Sequence, residues 1–227
     1  MIVLIALGAL ALFAAIFGPQ VWIKWTMAKH GRNRADFPGT GGELARHLLD
    51  EAGLQAVKVE VTAAGDHYSP HDKAVRLSTA NHDGKSITAA AVAAHEVGHA
   101  LQDAAGYRPL QLRQKLAGVC LTIERTGSVL LMAAPLVFAL LRSPVVLVAE
   151  VVLALGILAS TVVIHVVTLP TEFNASYGRA LPLLRNYLKP GDMPGARSVL
   201  TAAAFTYVAA ALVSLLDIAR WIRVLRF

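Results

Sequence analysis

Four long apolar blocks stand out in the pattern of hydrophobic and polar positions along the chain. They are residues 1–23, 126–141, 145–168 and 199–216, and among Asp, Glu, Lys and Arg only Glu150 interrupts them. A helix of about 20 apolar residues crosses a hydrocarbon core of about 30 Å. Because only Arg142, Ser143 and Pro144 separate the second block from the third, we expect these two blocks to form a transmembrane hairpin. The first block predicts an uncleaved N-terminal anchor.

A smaller folded lobe is predicted between the first and second blocks. Thr40 and Glu43 match a capping box, which predicts the start of a helix that ends at Gly53. Apolar and polar residues then alternate over residues 57–61 and 74–79, and this period predicts two half-buried strands. We expect the two strands to pair antiparallel.

A second helix of the lobe is predicted over residues 87–105. Ser86 is a suitable N-cap, and Gly106 is a suitable stop signal. Gly98 lies inside this helix, where it costs up to about 1 kcal/mol relative to alanine. That cost indicates that another backbone or a substrate comes close to the helix at Gly98.

The composition agrees with a membrane protein. Of the 227 residues, 56% are hydrophobic and only 16% are charged, far from the balance of soluble domains. The single cysteine, Cys120, excludes a disulfide within the chain. The net charge of +6 comes from Lys and Arg residues beside the apolar blocks, so it predicts contact with the bilayer surface and no nucleic acid partner.

The distribution of basic residues predicts the orientation in the membrane. Thirteen Lys and Arg residues lie between Lys24 and Arg125, one lies in the hairpin turn, and four lie between Arg179 and Arg197. The positive-inside rule therefore predicts a cytoplasmic lobe and an external hairpin turn. Three arginines near the C-terminus do not fit the positive-inside rule if the fourth block spans the membrane, because they would then lie outside. The alternative is that this last segment lies in the interface as a basic amphipathic helix.

The segment from His95 to His99 carries the most informative chemistry of the chain. Residues i and i+4 of a helix project from one face, so His95 and His99 can bind one zinc ion through two imidazole nitrogens. Glu96 can then act on a water at the open position of the metal without binding the metal itself. The alternative is a pair of buried structural histidines.

A catalytic zinc site needs a third protein ligand, because the metal binds three side chains and keeps one position for water. Glu124, Glu150 and Glu172 compete for this role. Two predicted membrane crossings separate His99 from Glu172, so the chain has returned to the zinc side of the membrane at Glu172. Glu150 lies nearer the external end of its block and is better explained as an interfacial carboxylate or a partner of Arg142. Glu172 is preferred because a helix break at Pro170 would let the next turn approach the zinc helix. Glu124 is also on the zinc side and remains the alternative.

Other polar residues are candidates for supporting roles. The loop of residues 66–72 could hold a second metal, border the substrate cleft or form an ordinary polar turn, and the turn is favoured. His165, near the cytoplasmic end of the third block, could stabilise an oxyanion or bind a backbone carbonyl. Tyr177 and Arg179, on a helix expected to start at Glu172, are further candidates for the oxyanion.

Three stretches carry a family resemblance: residues 93–102, the triplet Asp66-His67-Tyr68, and residues 169–173. Together they resemble the bacterial membrane zinc metallopeptidases of the YugP type. The likeness runs from about residue 39 to residue 184 and is most specific in the zinc helix. It implies an integral membrane neutral zinc peptidase with Glu172 as the third ligand.

The order of helix, two strands and zinc helix is similar to the small lobe of gluzincin peptidases. In that group an edge strand binds the substrate backbone by strand addition. Residues 74–79 are the candidate for this strand, and the alternative is that they are only part of the sheet. Two positions depart from the related patterns: Asn174 replaces a common Asp of the family, and Ser176 replaces the gluzincin Asp that orients a zinc-binding histidine.

These features predict a predominantly α, multi-helix integral membrane protein with a small α+β gluzincin-like lobe. The expected divisions are an anchor (1–24), a zinc-peptidase lobe (25–120), a transmembrane hairpin (121–168), a third-ligand region (169–198) and a C-terminal apolar helix with a basic tail (199–227).

We expect a zinc endopeptidase of the inner (plasma) membrane whose site faces the cytoplasm. His95, His99 and Glu172 would bind Zn²⁺, Glu96 would act as the general base, and His165 or Tyr177 would assist. The expected partners are a peptide or membrane-protein substrate and the lipid bilayer. The alternative is a non-catalytic zinc-binding scaffold or assembly factor, whose site would be closed by a fourth protein ligand.

Overall fold

The structure is a computed structural model, and it describes residues 2–213, except for the side chains of residues 2–12, 15, 16, 117, 118, 120, 121, 124, 158 and 161. The predicted basic tail and the end of the fourth apolar block lie outside the described residues.

The described chain is mostly helical, with one small sheet. The helices are α1 (Ile2–His30), α2 (Gly41–Glu51), α3 (Thr79–His82), α4 (Ile87–Ala104), α5 (Arg108–Leu141), α6 (Pro144–Phe173), α7 (Leu181–Leu184) and α8 (Met193–Ala204), and a π-helix (Asn174–Ala180) joins α6 to α7. The strands are β1 (Lys58–Val61), β2 (His67–Ser69) and β3 (Ala74–Leu77). This content confirms the predominantly α class with a small β component.

Contacts divide the chain into two compact units. The hairpin unit comprises Met1–Phe17, Leu112–Thr168 and Tyr207–Phe227, and the sheet unit comprises Gly18–Gln111 and Leu169–Thr206. The division of the chain into five predicted segments stays a prediction.

The hairpin unit contains most of α5 and α6, the two helices of the predicted hairpin. α5 ends at Leu141 and α6 begins at Pro144, so Arg142 and Ser143 form the tight turn that the sequence predicts. Arg142 adopts a positive φ of 49° in this turn. Within the described residues, two continuous helical stretches are long and apolar enough to cross a membrane. Pro144–Leu184 runs from α6 through the π-helix and α7, and Met193–Val213 begins with α8; the apolar stretch Arg125–Leu141, in α5, is shorter.

The predicted helix break at Pro170 is wrong. α6 continues through Pro170 and ends at Phe173, so Glu172 lies in its last turn. The loss of one amide hydrogen bond at a proline can bend a long helix without ending it. The change of geometry comes after Glu172 instead, where the chain enters the π-helix.

The first helix of the sheet unit has the predicted cap. Thr40 Oγ1 accepts a hydrogen bond from the Glu43 amide at 3.2 Å, and Glu43 Oε2 accepts one from the Thr40 amide at 2.7 Å. Gly53 follows the helix with a φ of +72°. Leu48 and Leu49 are buried, as the spacing predicts.

The sheet differs from the prediction in its pairing. Its order is β1-β3-β2, with β1 parallel to β3 and β2 antiparallel to β3. The expected antiparallel pairing of residues 57–61 with 74–79 is wrong. The chain reverses direction between β1 and β2 and again between β2 and β3, so β1 and β3 run parallel. β3 therefore lies between two strands, so the prediction that residues 74–79 are a free edge for substrate is also wrong.

α4 forms the centre of the sheet unit and packs against α2, α8 and the π-helix. Its small residues, Ala89 to Ala94, are all buried. A Cβ added at Gly98 would lie 2.9 Å from the carbonyl oxygen of Ala175 in the π-helix. The predicted close approach of another backbone at Gly98 is confirmed, and it brings the chain after α6 against α4.

Candidate metal centre

Three side chains from two distant segments converge in the sheet unit. His95 and His99 lie on one face of α4, and Glu172 lies in the last turn of α6. The two histidine Nε2 atoms are 3.2 Å apart. Glu172 Oε2 lies 3.2 Å from His95 Nε2 and 3.5 Å from His99 Nε2. The structure thus brings together the three side chains that the sequence proposes as zinc ligands.

The cluster is enclosed by protein. His95, His99 and Glu172 are 5%, 4% and 2% exposed, respectively. Their placement depends on the tight contact between Gly98 and Ala175, which sets the distance between α4 and the start of the π-helix. Such π-helical turns occur frequently at functional sites.

The donor set fits a zinc ion. Two imidazole nitrogens and one carboxylate oxygen are typical of catalytic zinc sites. With metal–ligand bonds of about 2.0–2.1 Å, neighbouring ligand atoms of a tetrahedral ion are about 3.3–3.4 Å apart. The observed separations are 3.2, 3.2 and 3.5 Å. Within the described residues, these three form a group of His, Cys, Asp or Glu side chains that could hold one ion.

The outer nitrogens of both histidines have hydrogen-bond partners. His95 Nδ1 lies 3.0 Å from Ser176 Oγ, and this hydroxyl donates to the carbonyl oxygen of Leu200 at 3.0 Å. His99 Nδ1 lies 2.9 Å from Gln102 Oε1. Ser176 therefore contacts the outer nitrogen of one candidate ligand.

Glu96 is buried beside the cluster and retains 7% exposure. No hydrogen bond or ion pair uses its carboxylate within the described part of the chain. A carboxylate in this state can accept a proton from a water bound nearby.

The remaining predicted residues have other contacts in the structure. The Tyr177 hydroxyl donates to Thr201 Oγ1 at 2.7 Å, and the Tyr177 ring stacks on Phe173. His165 belongs to the hairpin unit, where its ring centroid lies 6.0 Å from that of Tyr207. The oxyanion roles proposed for His165 and Tyr177 stay predictions.

The two rival carboxylates lie in long apolar helices. Glu150 is in α6 of the hairpin unit, and no ion pair with Arg142 is found among the described residues. Glu124 lies in α5, and its side chain is outside the described residues. Glu172 is therefore the carboxylate that the structure places with the two histidines.

The loop of residues 66–72 has a structural role. Asp66 accepts hydrogen bonds from the amide and the hydroxyl of Ser78 at 2.6 and 3.0 Å and from Asn81 at 2.7 Å, at the start of α3. The Tyr68 hydroxyl donates to Asp103 Oδ2 at 2.6 Å. Burial, together with this hydrogen bond, raises the pKa of Tyr68. The favoured prediction of a polar turn is supported, although part of the loop forms β2.

Gln102 is a residue of the site that the sequence analysis missed. It is 0% exposed and bonds to His99, three residues earlier on the same helix. Side chains at i and i+3 of a helix are neighbours, so a glutamine at this spacing in a buried helix was an available signal.

Comparisons with known proteins agree with the geometry of this cluster. Residues 3–226 match the sequence profile of the family described as "Putative neutral zinc metallopeptidase". A curated relative from Bacillus subtilis (strain 168), named "Putative membrane protease YugP", is 37% identical over 214 residues, which cover 92% of this chain and 90% of the relative.

The chain belongs to this neutral zinc metallopeptidase family. The resemblance that residues 93–102 and 169–173 carry is thereby confirmed. Membership of a zinc metallopeptidase family agrees with the buried cluster of His95, His99 and Glu172. No solved structure matches the chain significantly.

Proposed function

We propose that this protein is a membrane-embedded zinc-dependent endopeptidase. The observation that carries the proposal is the convergence of His95 Nε2, His99 Nε2 and Glu172 Oε2 at separations of 3.2–3.5 Å. Two unprotonated imidazole nitrogens and a carboxylate oxygen repel one another at such distances unless a cation lies between them. A zinc ion meets this need, and the spacing suits its tetrahedral geometry.

Each side chain has a separate task in the proposed reaction. His95, His99 and Glu172 hold zinc, which supplies Lewis acidity that makes water reactive near neutral pH and polarises a carbonyl group. Glu96 takes a proton from the attacking water while the oxygen of this water bonds to the scissile carbonyl carbon. When the C–N bond breaks, Glu96 gives this proton to the leaving amine, so the carboxylate is restored.

The alternative is a non-catalytic zinc scaffold or assembly factor. A structural zinc site is closed by four protein ligands, whereas a catalytic site binds three and keeps one position open. Within the described residues, the group that could hold the ion contains three such side chains. This count favours the enzyme.

The decisive experiment changes Glu96 to Gln. We expect Glu96→Gln to keep its zinc and its fold, because Glu96 is not among the proposed ligands, while hydrolysis of a fluorogenic peptide mixture falls by about 10²–10⁴-fold. Zinc content and cleavage are measured on the same purified protein. Glu60→Gln, the same chemical change on strand β1, is the matched control and should cleave normally. Zinc loss in Glu96→Gln or undiminished cleavage would assign Glu96 to another role.

We further propose that the protein lies in the inner (plasma) membrane with its site facing the cytoplasm and acts on peptides or membrane proteins. The positive-inside distribution of Lys and Arg supports this orientation. In a Cys120→Ser background, Ser143→Cys should react with a membrane-impermeant thiol reagent in intact cells, and Lys85→Cys should react only after lysis. Protection of Ser143→Cys together with labelling of Lys85→Cys would invert the orientation.

A further inference from the structure

Both donors and the oxygen of the buried Gln102 amide group have hydrogen-bond partners. Its oxygen lies 2.9 Å from His99 Nδ1, and its nitrogen lies 2.8 Å from the carbonyl oxygen of Thr171 and 3.0 Å from Asn174 Oδ1. The side chain is 0% exposed. Burial of an amide group is costly unless its donors and acceptor are paired, so this set of contacts is specific.

The direction of these hydrogen bonds is fixed by their partners. The carbonyl oxygen of Thr171 can only accept, so the amide nitrogen of Gln102 must face it. The second acceptor, Asn174 Oδ1, also accepts from Arg179 Nε at 3.2 Å, which holds the oxygen of Asn174 in this position. The amide oxygen of Gln102 is therefore the atom that faces His99.

An amide oxygen accepts hydrogen bonds and cannot donate them. His99 Nδ1 must therefore carry the proton, and in the neutral ring the lone pair then lies on Nε2. This is the nitrogen that lies within 3.2–3.5 Å of His95 Nε2 and Glu172 Oε2.

We propose that Gln102 is a positioning residue that fixes the tautomer and the ring orientation of His99 for metal binding. The inference rests on the proposed zinc site and adds a residue to it. Gln102 also bonds the backbone of Thr171, the residue before Glu172. One buried amide therefore ties two proposed ligands, which come from different helices, to the same position.

The partner of His95 is less constrained. Ser176 offers a hydroxyl, which can rotate, and its direction depends on the hydrogen bond to the carbonyl oxygen of Leu200. The amide of Gln102 is planar and is held by three partners, so it has no alternative arrangement that keeps them all. The larger effect on metal binding is therefore expected from Gln102.

The test compares zinc affinity in a series of full-length variants, measured by competition with a chelator. Gln102→Met keeps the length of the side chain and removes its polar atoms, and we expect zinc binding to weaken by about 10–100-fold. Asn174→Leu removes the second acceptor of Gln102, together with the hydrogen bond from Arg179, and should give a smaller loss of zinc affinity. Asn174→Asp keeps an acceptor oxygen at that position and should bind zinc as the wild type does.

A matched control is available on the same helix. Thr88 is buried in α4, and its hydroxyl donates to the carbonyl oxygen of Met27 at 2.8 Å. Thr88→Val loses a part-buried hydrogen bond of similar length and has no hydrogen bond to His99, so it should lower the thermal stability and leave zinc affinity unchanged.

The tautomer gives an independent readout. In ¹⁵N-histidine-labelled, zinc-free wild type, the His99 Nδ1 signal should be that of a protonated nitrogen, because without the metal the contact with Gln102 selects this tautomer. In zinc-free Gln102→Met the His99 signals should shift toward a mixture of the two tautomers. Wild-type zinc affinity with an unchanged His99 signal in Gln102→Met would overturn the inference. If Gln102→Met does not fold, equal zinc affinities of Asn174→Leu and Asn174→Asp would overturn it. Failure of the wild type to bind zinc would instead overturn the proposed function, and the inference with it.

Discussion

The sheet unit and the hairpin unit place their polar and apolar residues in opposite ways. The sheet unit buries polar side chains: His95, Glu96, His99, Gln102, Thr171, Glu172 and Ser176. The hairpin unit leaves large apolar side chains exposed, among them Met132 (75%), Leu140 (73%) and Val145 (78%). Burial of a polar group is costly unless the group is paired within the protein, whereas an exposed apolar face is suited to lipid. The buried polar side chains of the sheet unit therefore depend on contacts within the protein, and the exposed apolar side chains of the hairpin unit agree with the membrane setting proposed above.

The largest expected effect is on zinc affinity, and it distinguishes Glu172 of the sheet unit from Glu124 of the hairpin unit. Glu172→Ala removes a proposed ligand, so we expect a loss of zinc affinity beyond the about 10–100-fold typical of residues that only support a ligand. Glu124→Ala, in α5, should keep its zinc and change the stability by no more than about 0.5 kcal/mol. Zinc content after dialysis measures both variants. The opposite result would mean that the third ligand is Glu124 in α5 and not Glu172.

Truncation of a leucine in each unit tests the contrast in packing. Leu200 in α8 is 0% exposed, and Leu140 in α5 is 73% exposed. Leu200→Ala should lower the free energy of unfolding by about 2–5 kcal/mol, because it leaves a cavity. Leu140→Ala should change it by less than about 0.5 kcal/mol, since no protein packing is lost. Unfolding in a defined detergent gives both values, and similar losses would show that the hairpin unit is packed against protein after all.

A smaller effect is expected from a methyl group added at two helical glycines. Gly98→Ala places a Cβ 2.9 Å from the carbonyl oxygen of Ala175, so it should cost about 1–3 kcal/mol. At Gly156 in α6 nothing lies within 4 Å of the added atom, so Gly156→Ala should stabilise the helix by up to about 1 kcal/mol. Thermal unfolding of the two variants is the measurement. A neutral Gly98→Ala would mean that α4 and the π-helix can separate at little cost.

Local features of the fold were predictable from the sequence, because they depend on neighbouring residues. The cap at Thr40, the helix that carries His95 and His99, and the turn at Arg142 and Ser143 are features of this kind. Counting membrane crossings favoured Glu172 and Glu124 over Glu150. The preference for Glu172 over Glu124 depended on the expected helix break at Pro170, which is wrong, and on the family resemblance.

Features that depend on distant pairing were not predictable. β2 has three residues, too few for a clear period, and its position decides that β3 is central. Gln102 has its role only because residues 171 and 174 lie against it, about 70 positions later in the chain. The continuation of α6 through Pro170 likewise runs against the local preference of the sequence.

The π-helix makes the number of residues after Glu172 as important as their identity. The amide of Leu181 bonds to the carbonyl of Ser176, five residues earlier, so this turn holds one residue more than an α-helical turn would. Deletion of one residue here would restore α-helical winding and rotate everything that follows by about 100° around the axis. A substitution in this segment alters one side chain, whereas a deletion would turn Ser176 away from His95 or redirect α7 and α8. The segment therefore works as a fixed spacer between the proposed third ligand and the helices that close the unit.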